Sequence, residues 1–267
     1  GAQASIIESP ENIRVSSDGY IHWIPTKPQL GFNTITLEIN EEKQTLLYSL
    51  SVFVNAPPVI SYRPNNIEHV NLKDNFNFHF RSFEENEDQL LYWSLVEGPE
   101  GMTFVNGELN WNAIIPDHHL YTIELTDTLD VDIFAGTIYV NDIPKVLSIP
   151  GTYVTLGETY EYDIIIEDLN QQSPTGKNNF ISTFLNHGPR GMKLTNNSIE
   201  WTPEENQLGA ALVEIEVFDE IITTEQTFTI YVNDIPKIIS SDSLRIAIGD
   251  TLHHFIKAKD SNALTTL

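Results

Sequence analysis

The sequence predicts an all-β chain of tandem, seven-stranded antiparallel β-sandwiches, and three observations predict it. Short phrases recur at a nearly constant interval: Val54-Asn55-Ala56-Pro57 returns as Val140-Asn141-Asp142-Ile143-Pro144 and as Val232-Asn233-Asp234-Ile235-Pro236. Trp23, Trp111 and Trp201 follow the same interval, 88 and 90 residues apart. A period near 90 residues is too long for a solenoid repeat and suits copies of a small autonomous domain. Apolar residues alternate with polar ones over short runs, and turn residues punctuate them every 8–12 positions or so, the pattern of a sandwich. No segment keeps a 3.6-residue apolar period over three turns, so helix is scarce.

The repeat divides the chain into four parts. Residues 1–54 read as the C-terminal half of a domain, 55–141 and 142–233 as complete domains, and 234–267 as the N-terminal half of another. Within a bead, Phe76, Phe78 and Phe80 alternate with Asn77 and His79 to give a strand with one buried face. Tyr160, Tyr162 and Ile164 repeat it in the next bead, and Leu252, His254 and Ile256 in the last. Each tryptophan follows a hairpin. Asn106-Gly107, Asp18-Gly19 and Asn196-Asn197 are placed to make type I′ turns, whose two central residues need positive φ. Pro99-Glu100-Gly101-Met102 returns as Pro189-Arg190-Gly191-Met192, with a decayed copy at Pro10-Glu11-Asn12-Ile13. Its glycine permits a left-handed bend, and Met102 and Met192, the only methionines, drop into the core as adaptable fillers. About seven strands per repeat in this order indicate immunoglobulin-like architecture.

Composition narrows the function classes. Thirty-eight acids against 14 bases give a net charge of −24, which repels phosphate backbones and anionic membranes, so nucleic acid is not an expected partner. The chain is 40% hydrophobic, yet no apolar run approaches a membrane span, so no direct insertion is expected. Absent cysteine excludes disulfides and thiolate metal sites. His118-His119 and His253-His254 are not in an H-E-x-x-H pattern, and neither G-x-S-x-G nor a phosphate-cradling loop is present, so the chain is expected to be no enzyme.

The run from the Gly-Pro-x-Gly-Met phrase through Ser198-Ile199-Glu200-Trp201-Thr202-Pro203, Gln207-Leu208-Gly209, Phe218-Asp219 and Thr227-Phe228-Thr229-Ile230-Tyr231-Val232-Asn233-Asp234 resembles the dystroglycan-type cadherin-like and Ig-like tandem domain family. The likeness covers nearly the whole chain in register. Residues 55–141 depart from it at Trp111-Asn112-Ala113 and lack the Gln-Leu-Gly glycine. The resemblance implies cadherin-like folds in tandem within large cell-surface or secreted proteins.

The one constellation that points to chemistry is acidic. Strand parity brings Glu84-x-Asn86, Asp168-x-Asn170 and Asp260-x-Asn262, at the end of the second strand, to the same level as Glu41, Asp127 and Asp219, at the end of the sixth. The linker residues Asn141, Asp142, Asn233 and Asp234 arrive there too, with Asp117, Glu204 and Glu205 from the loop before the sixth strand. Oxygen ligands from three segments suit Ca²⁺, which takes six to eight. Cadherin resemblance points to the same ion. Asp and Asn at strand ends also serve as plain turn formers. The first joint is the poorest in ligands, with Ala56 for the aspartate and Lys27 in its loop.

Together these features lead to the expectation of a non-catalytic segment of a large bacterial cell-surface or secreted protein, extracellular and outer-membrane association included. It would act as an adhesin stalk, spacer or interaction scaffold, with other surface or envelope proteins as partners. The alternative is a glycan-binding or accessory module of a secreted carbohydrate-active enzyme, for which Tyr92-Trp93 is the best local stacking platform.

Overall fold

A computed structural model describes residues 3–87, 89–178 and 180–262, and it is β throughout, with two 3-10 turns as the only helical pieces. The chain forms two compact units. One holds residues 1–114 with 118–140, the other residues 115–117 with 141–267.

In the first unit, a sandwich is built from seven strands, two of them broken in the middle. The first runs as Val59–Tyr62 and Ile67–Asn71, the second as Asn75–His79 and Arg81–Phe83. Then follow Tyr92–Glu97, Thr103–Val105, Glu108–Asn112, Asp117–Thr126 and Val131–Asn141. One sheet orders the third, sixth, seventh and first strands; the other orders the fourth, fifth and second. Between them lie Phe80, Leu109, Trp111, Tyr121, Ile123, Leu125 and Ile138, all buried, with Met102 as the expected plug. Alternation along Glu108–Asn112 explains this: Leu109 and Trp111 face in, while Glu108, Asn110 and Asn112 face out. Residues 3–54 add a three-stranded sheet, Gln3–Glu8, Gly31–Glu41 and Gln44–Val54, whose buried residues are Ile35 and Leu37.

In the second unit, the same plan recurs with Lys145–Val146 and Tyr153–Thr155, Tyr160–Asp163 and Ile166–Glu167, Ser182–His187, Lys193–Thr195, Ser198–Trp201, Gly209–Phe218 and Thr223–Asn233. Its core holds Tyr160, Tyr162, Ile164, Met192, Ile199, Trp201, Val213, Ile215 and Ile230.

The repeated phrases do local work. Met102 N–H donates to Pro99 O and Met192 N–H to Pro189 O, both at 3.1 Å, closing turns whose third residue is Gly101 (φ 80°) or Gly191 (φ 90°). In the decayed copy Asn12 takes that role at φ 68°, the non-glycine residue best suited to it. The glycine before the proline has a different task. A Cβ on Gly98 would sit 2.9 Å from the Met102 sulfur, and on Gly188 3.1 Å from that of Met192.

Four expectations need correction. The second piece of the first strand pairs with the seventh in parallel, Val154 opposite Val232, so the sheet is mixed. At Asp18-Gly19 only the glycine has positive φ, 87°. Gly19 N–H donates to Ser16 O and Ser16 N–H to Tyr20 O, which makes a three-residue loop with a glycine bulge in place of a two-residue turn. Leu252, His254 and Ile256 are exposed and form no strand. The matching strands, Asn75–His79 and Tyr160–Asp163, are held by the tryptophan strand beside them, a pairing that no described residue gives to 252–257. Finally, Trp23 is only half-buried, unlike Trp111 and Trp201, because among the described residues the two-stranded sheet that precedes it has no counterpart of Asn75–His79 or Tyr160–Asp163, the strands that flank the other tryptophan strands.

Candidate functional site

At every joint the same side chain performs the same task. Asn86 Oδ1 accepts from Ala56 N–H at 2.8 Å, while its Nδ2 donates to Val54 O at 3.0 Å. Asn170 Oδ1 accepts from Asp142 N–H at 2.7 Å. Asn262 Oδ1 accepts from Asp234 N–H, and its Nδ2 donates to Val232 O at 2.8 Å. A carboxamide thus behaves as a one-residue strand, pairing with the linker backbone where no strand exists. The acid two residues earlier sets it up: Glu84, Asp168 and Asp260 each accept the N–H of their asparagine, at 2.8, 2.8 and 2.9 Å. The acid-x-Asn phrase is an asparagine clamp.

The end of the sixth strand forms the second half of the site. Asp219 is fully buried, and its Oδ1 accepts the N–H groups of Ile221 and Ile222 at 2.8 and 2.6 Å. Its Oδ2 accepts from Asn141 Nδ2 at 2.9 Å. Asp127 repeats this with Leu129 and Asp130 N–H and with Asn55 Nδ2 at 2.7 Å. Burial of Asp127 opposes its ionisation, but the donors from Asp130, Asn55 and Leu129 outweigh that and hold its pKa below the usual carboxylate range.

In the second unit more acids gather. Asp142, 4% exposed, accepts Leu169 N–H through Oδ2 at 3.1 Å and meets Lys145 Nζ through Oδ1 at 3.4 Å. Asp117 Oδ1 accepts Gln171 N–H at 3.0 Å and Asn170 Nδ2 at 3.3 Å. Asp117 stands at φ 80° at the start of its strand, where the other copies have Gly31 (φ 89°) and Gly209 (φ 98°). An acid in a left-handed position normally left to glycine is strained backbone. The missing Gln-Leu-Gly glycine is therefore the aspartate that reaches the clamp. Burial pushes Asp168 up to about 6, and the nearby charges of Asp219, Asp142 and Asp117 push the same way. Asp168 Oδ2 and Asn141 Oδ1 are buried and accept no hydrogen bond from any described residue, and neither do their counterparts Glu84 Oε2 and Asn55 Oδ1.

Of the residues proposed to bind metal, Asp117, Asn141, Asp142, Asp168, Asn170 and Asp219 are brought together by these bonds. Asn233, Asp234, Asp260 and Asn262 form a reduced version: Asn233 Nδ2 turns to Asp234 O at 2.9 Å. Hydrogen bonding from Ser261, with Lys237 nearby, holds Asp234 below its ordinary pKa. Glu204 and Glu205 are exposed instead, on the turn Glu205–Gln207. Gln207 explains their position, since it ties Glu204 N–H (2.9 Å) to Arg190 O (2.9 Å) and fixes the loop on the Pro-x-Gly turn. Lys27 pairs with Glu85 at 2.6 Å in the first unit. The donors are oxygen throughout, which fits calcium in kind. Their lone pairs are largely engaged by amides and Lys145, and among the described residues no three His, Asp or Glu side chains meet at ligating distance. Sequence reading missed Lys145 and Lys237, whose signal was the repeated Asp-Ile-Pro-Lys phrase.

The glycan platform also resolves. Trp93 turns inward, 5.6 Å from Phe104 and 6.1 Å from Phe80, whereas Tyr92 faces out. A second outward pair, Tyr153 and Tyr231, stacks at 5.7 Å across the parallel strands. No described helix is long and apolar enough to cross a membrane.

No protein-family model and no curated protein matches the sequence. Solved structures match in shape. The I67–I69 I-band fragment of titin aligns over 87% of both chains with 11% identity and a TM-score of 0.48. Drosophila N-cadherin EC1-4 aligns over 98% of this chain and 76% of its own, with 13% identity and a TM-score of 0.33. The N-terminal eight Ig domains of Down Syndrome Cell Adhesion Molecule isoform 1.30.30 align over 84% of this chain and 31% of that one, with 12% identity and a TM-score of 0.59. At that level the likeness is one of fold: tandem immunoglobulin-like β-sandwiches.

Proposed function

We propose that this chain is a non-catalytic tandem-sandwich segment of a large bacterial cell-surface or secreted protein, a stalk or spacer that presents other parts of that protein to surface proteins or glycans. The division into 1–54, 55–141, 142–233 and 234–267 belongs to the same reading. The asparagine clamp carries it. One strand ends at Asn141, and the N–H of the next residue is held by Asn170. A flexible tether leaves its linker backbone unbonded, and here Asp142 N–H is bonded. The net charge of −24 keeps such a surface soluble and self-repelling. Small-angle scattering on the whole chain tests the proposal. A maximum dimension and cross-section of a rod support it, and the profile of a compact globule would sink it.

Calcium at the Asn141 cluster is a second reading, favoured by one observation: Asn141 Oδ1 and Asp168 Oδ2 are buried oxygens with no donor among the described residues, beside Asp117, Asp142 and Asp219. Calorimetric titration to millimolar Ca²⁺, the weakest range used by extracellular modules, decides it. Heat that disappears in Asp168→Asn with Asp219→Asn supports the reading, and absence of heat leaves these residues as turn formers.

A further inference from the structure

We propose that residues 234–262 of one copy of this chain complete the sandwich begun by residues 3–54 of a second copy, so that copies join in a one-way series. Residues 3–54 supply the third to seventh strands of the plan: Gln3–Glu8, Arg14–Val15, Ile21–His22, Gly31–Glu41 and Gln44–Val54. Residues 234–262 supply the material of the other two. There Lys237–Ile238 pairs with Ala258–Lys259, just as Lys145–Val146 pairs with Ile166–Glu167 in the second unit. Each piece exposes the surface that the other would cover. The inward face of the three-stranded sheet sets Ile35 opposite Leu50, Leu37 opposite Tyr48 and Ile39 opposite Leu46. Ile35 and Leu37 are buried, but Leu46 is 62% exposed and Tyr48 49%. Tyr48 stands where the second unit has Gln226, whose Oε1 accepts from Tyr162 OH at 2.8 Å and whose Nε2 donates to Ser148 O at 3.1 Å. Those partners belong to the first and second strands. In residues 234–262, Ile246, Leu252 and Ile256 are exposed, whereas their counterparts Val154, Tyr160 and Ile164 are buried. Scattered apolar residues on a surface need no explanation, but these are core positions of a repeat.

The repeat also sets the register. In the second unit Val154 lies parallel to Val232, and Tyr160 and Tyr162 lie opposite Trp201 and Ile199. The equivalents of Val154, Tyr160 and Tyr162, 92 residues on, are Ile246, Leu252 and His254. Those of Val232, Trp201 and Ile199, 178 residues back, are Val54, Trp23 and Ile21. Ile246 of one copy therefore falls beside Val54 of the other, with Leu252 and His254 opposite Trp23 and Ile21. Trp23 is then flanked as Trp201 is, which covers the half now exposed. The outward-facing pair Glu161 and Glu200 becomes His253 and His22. An incoming strand gains main-chain hydrogen bonds along an open sheet edge, and its alternate side chains fill the core. Each copy carries one piece of each kind, so the contact is head-to-tail and adds copies in one direction.

A single copy is a rod or a globule whether or not copies join, so the stalk reading and this one fail separately. The test is sedimentation velocity on the whole chain from about 1 to about 100 μM, in physiological salt that screens the net charge of −24. Species of two, three and more copies that grow with concentration are expected. A disulfide trap checks the register, because the chain has no cysteine of its own. His22 and His253 are exposed, so His22→Cys and His253→Cys leave each copy's fold intact. Mixed in equal amounts and oxidised, the two variants should give at least about fivefold more cross-linked pairs than either alone. Ile256→Asp, on an exposed side chain, should weaken association at least about a hundredfold, because its carboxylate would enter the joint core. A chain that stays monomeric at about 100 μM, a mixed disulfide no more abundant than with either variant alone, or association untouched by Ile256→Asp would each overturn the proposal.

Discussion

Replacing Asn170 by alanine should uncouple the second sandwich from its linker. Asn170 is 8% exposed, and its side chain accepts Asp142 N–H at 2.7 Å and donates to Asp117 Oδ1 at 3.3 Å. Asp142 is itself 4% exposed, so water cannot replace the lost acceptor. A buried N–H left unpaired costs about 1–3 kcal/mol, and the released contact to a carboxylate adds about 1 kcal/mol, so the unit should lose about 2–4 kcal/mol. For a domain of this size each kcal/mol lowers Tm by about 4–8 °C, which puts the fall at about 8–32 °C. Differential scanning calorimetry measures it, and hydrogen exchange at the Asp142 amide locates it. Asn86→Ala is the internal comparison, because it removes the same clamp from the first unit. A Tm within about 3 °C of the parent, or an Asp142 amide still protected, would refute the clamp as a stabilising device.

Three further outcomes follow from neighbouring features. Asp168, pushed up to about 6, ionises at a cost in the folded state, so its contribution favours folding below the unfolded carboxylate pKa and is lost as pH rises through about 6; denaturant titrations at pH 5 and 7 should show this, and Asp168→Asn should remove it while raising stability at pH 7. Met192→Asp should abolish the calorimetric transition of the second sandwich, because an unpaired carboxylate would replace a 9% exposed core plug at a cost of several kcal/mol, much of a small domain's stability. Gly136→Ala should destabilise the first unit by about 1–3 kcal/mol, read from urea unfolding, since the new methyl would lie 2.6 Å from the buried Tyr121 ring.

The succession of strands along each bead, the methionine plug and the cores at Trp111 and Trp201 were legible because each depends on local pattern: alternation, a turn glycine, a fixed spacing. The meeting of Asp219, Asn141 and Asp168 was legible from strand parity alone. What parity leaves open is direction at the level of single atoms. Asn141 turns its amide nitrogen, and not its oxygen, toward Asp219, a choice made by the carboxylate it faces. Asp117 illustrates the same limit from the backbone side. Its sequence neighbourhood lacked a glycine, and only the φ of 80° reveals that an acid has taken the glycine's place.

The parallel pairing inside the second sandwich has a mechanical consequence. Thr152 O, Tyr153–Thr155 and Leu156 N–H run beside Tyr231–Asn233 in the same direction, one near the entry of the chain and the other at its exit. Tension applied through the two ends drags these neighbours past each other along their length. Their hydrogen bonds are then strained together and must fail together, whereas an antiparallel pair pulled from one end opens bond by bond. Asn170, gripping the backbone just upstream at Asp142, passes the pull into the fold before the linker itself can stretch. Resistance of this kind is a matter of how fast the sandwich ruptures under load, and it can be high even where equilibrium stability is modest.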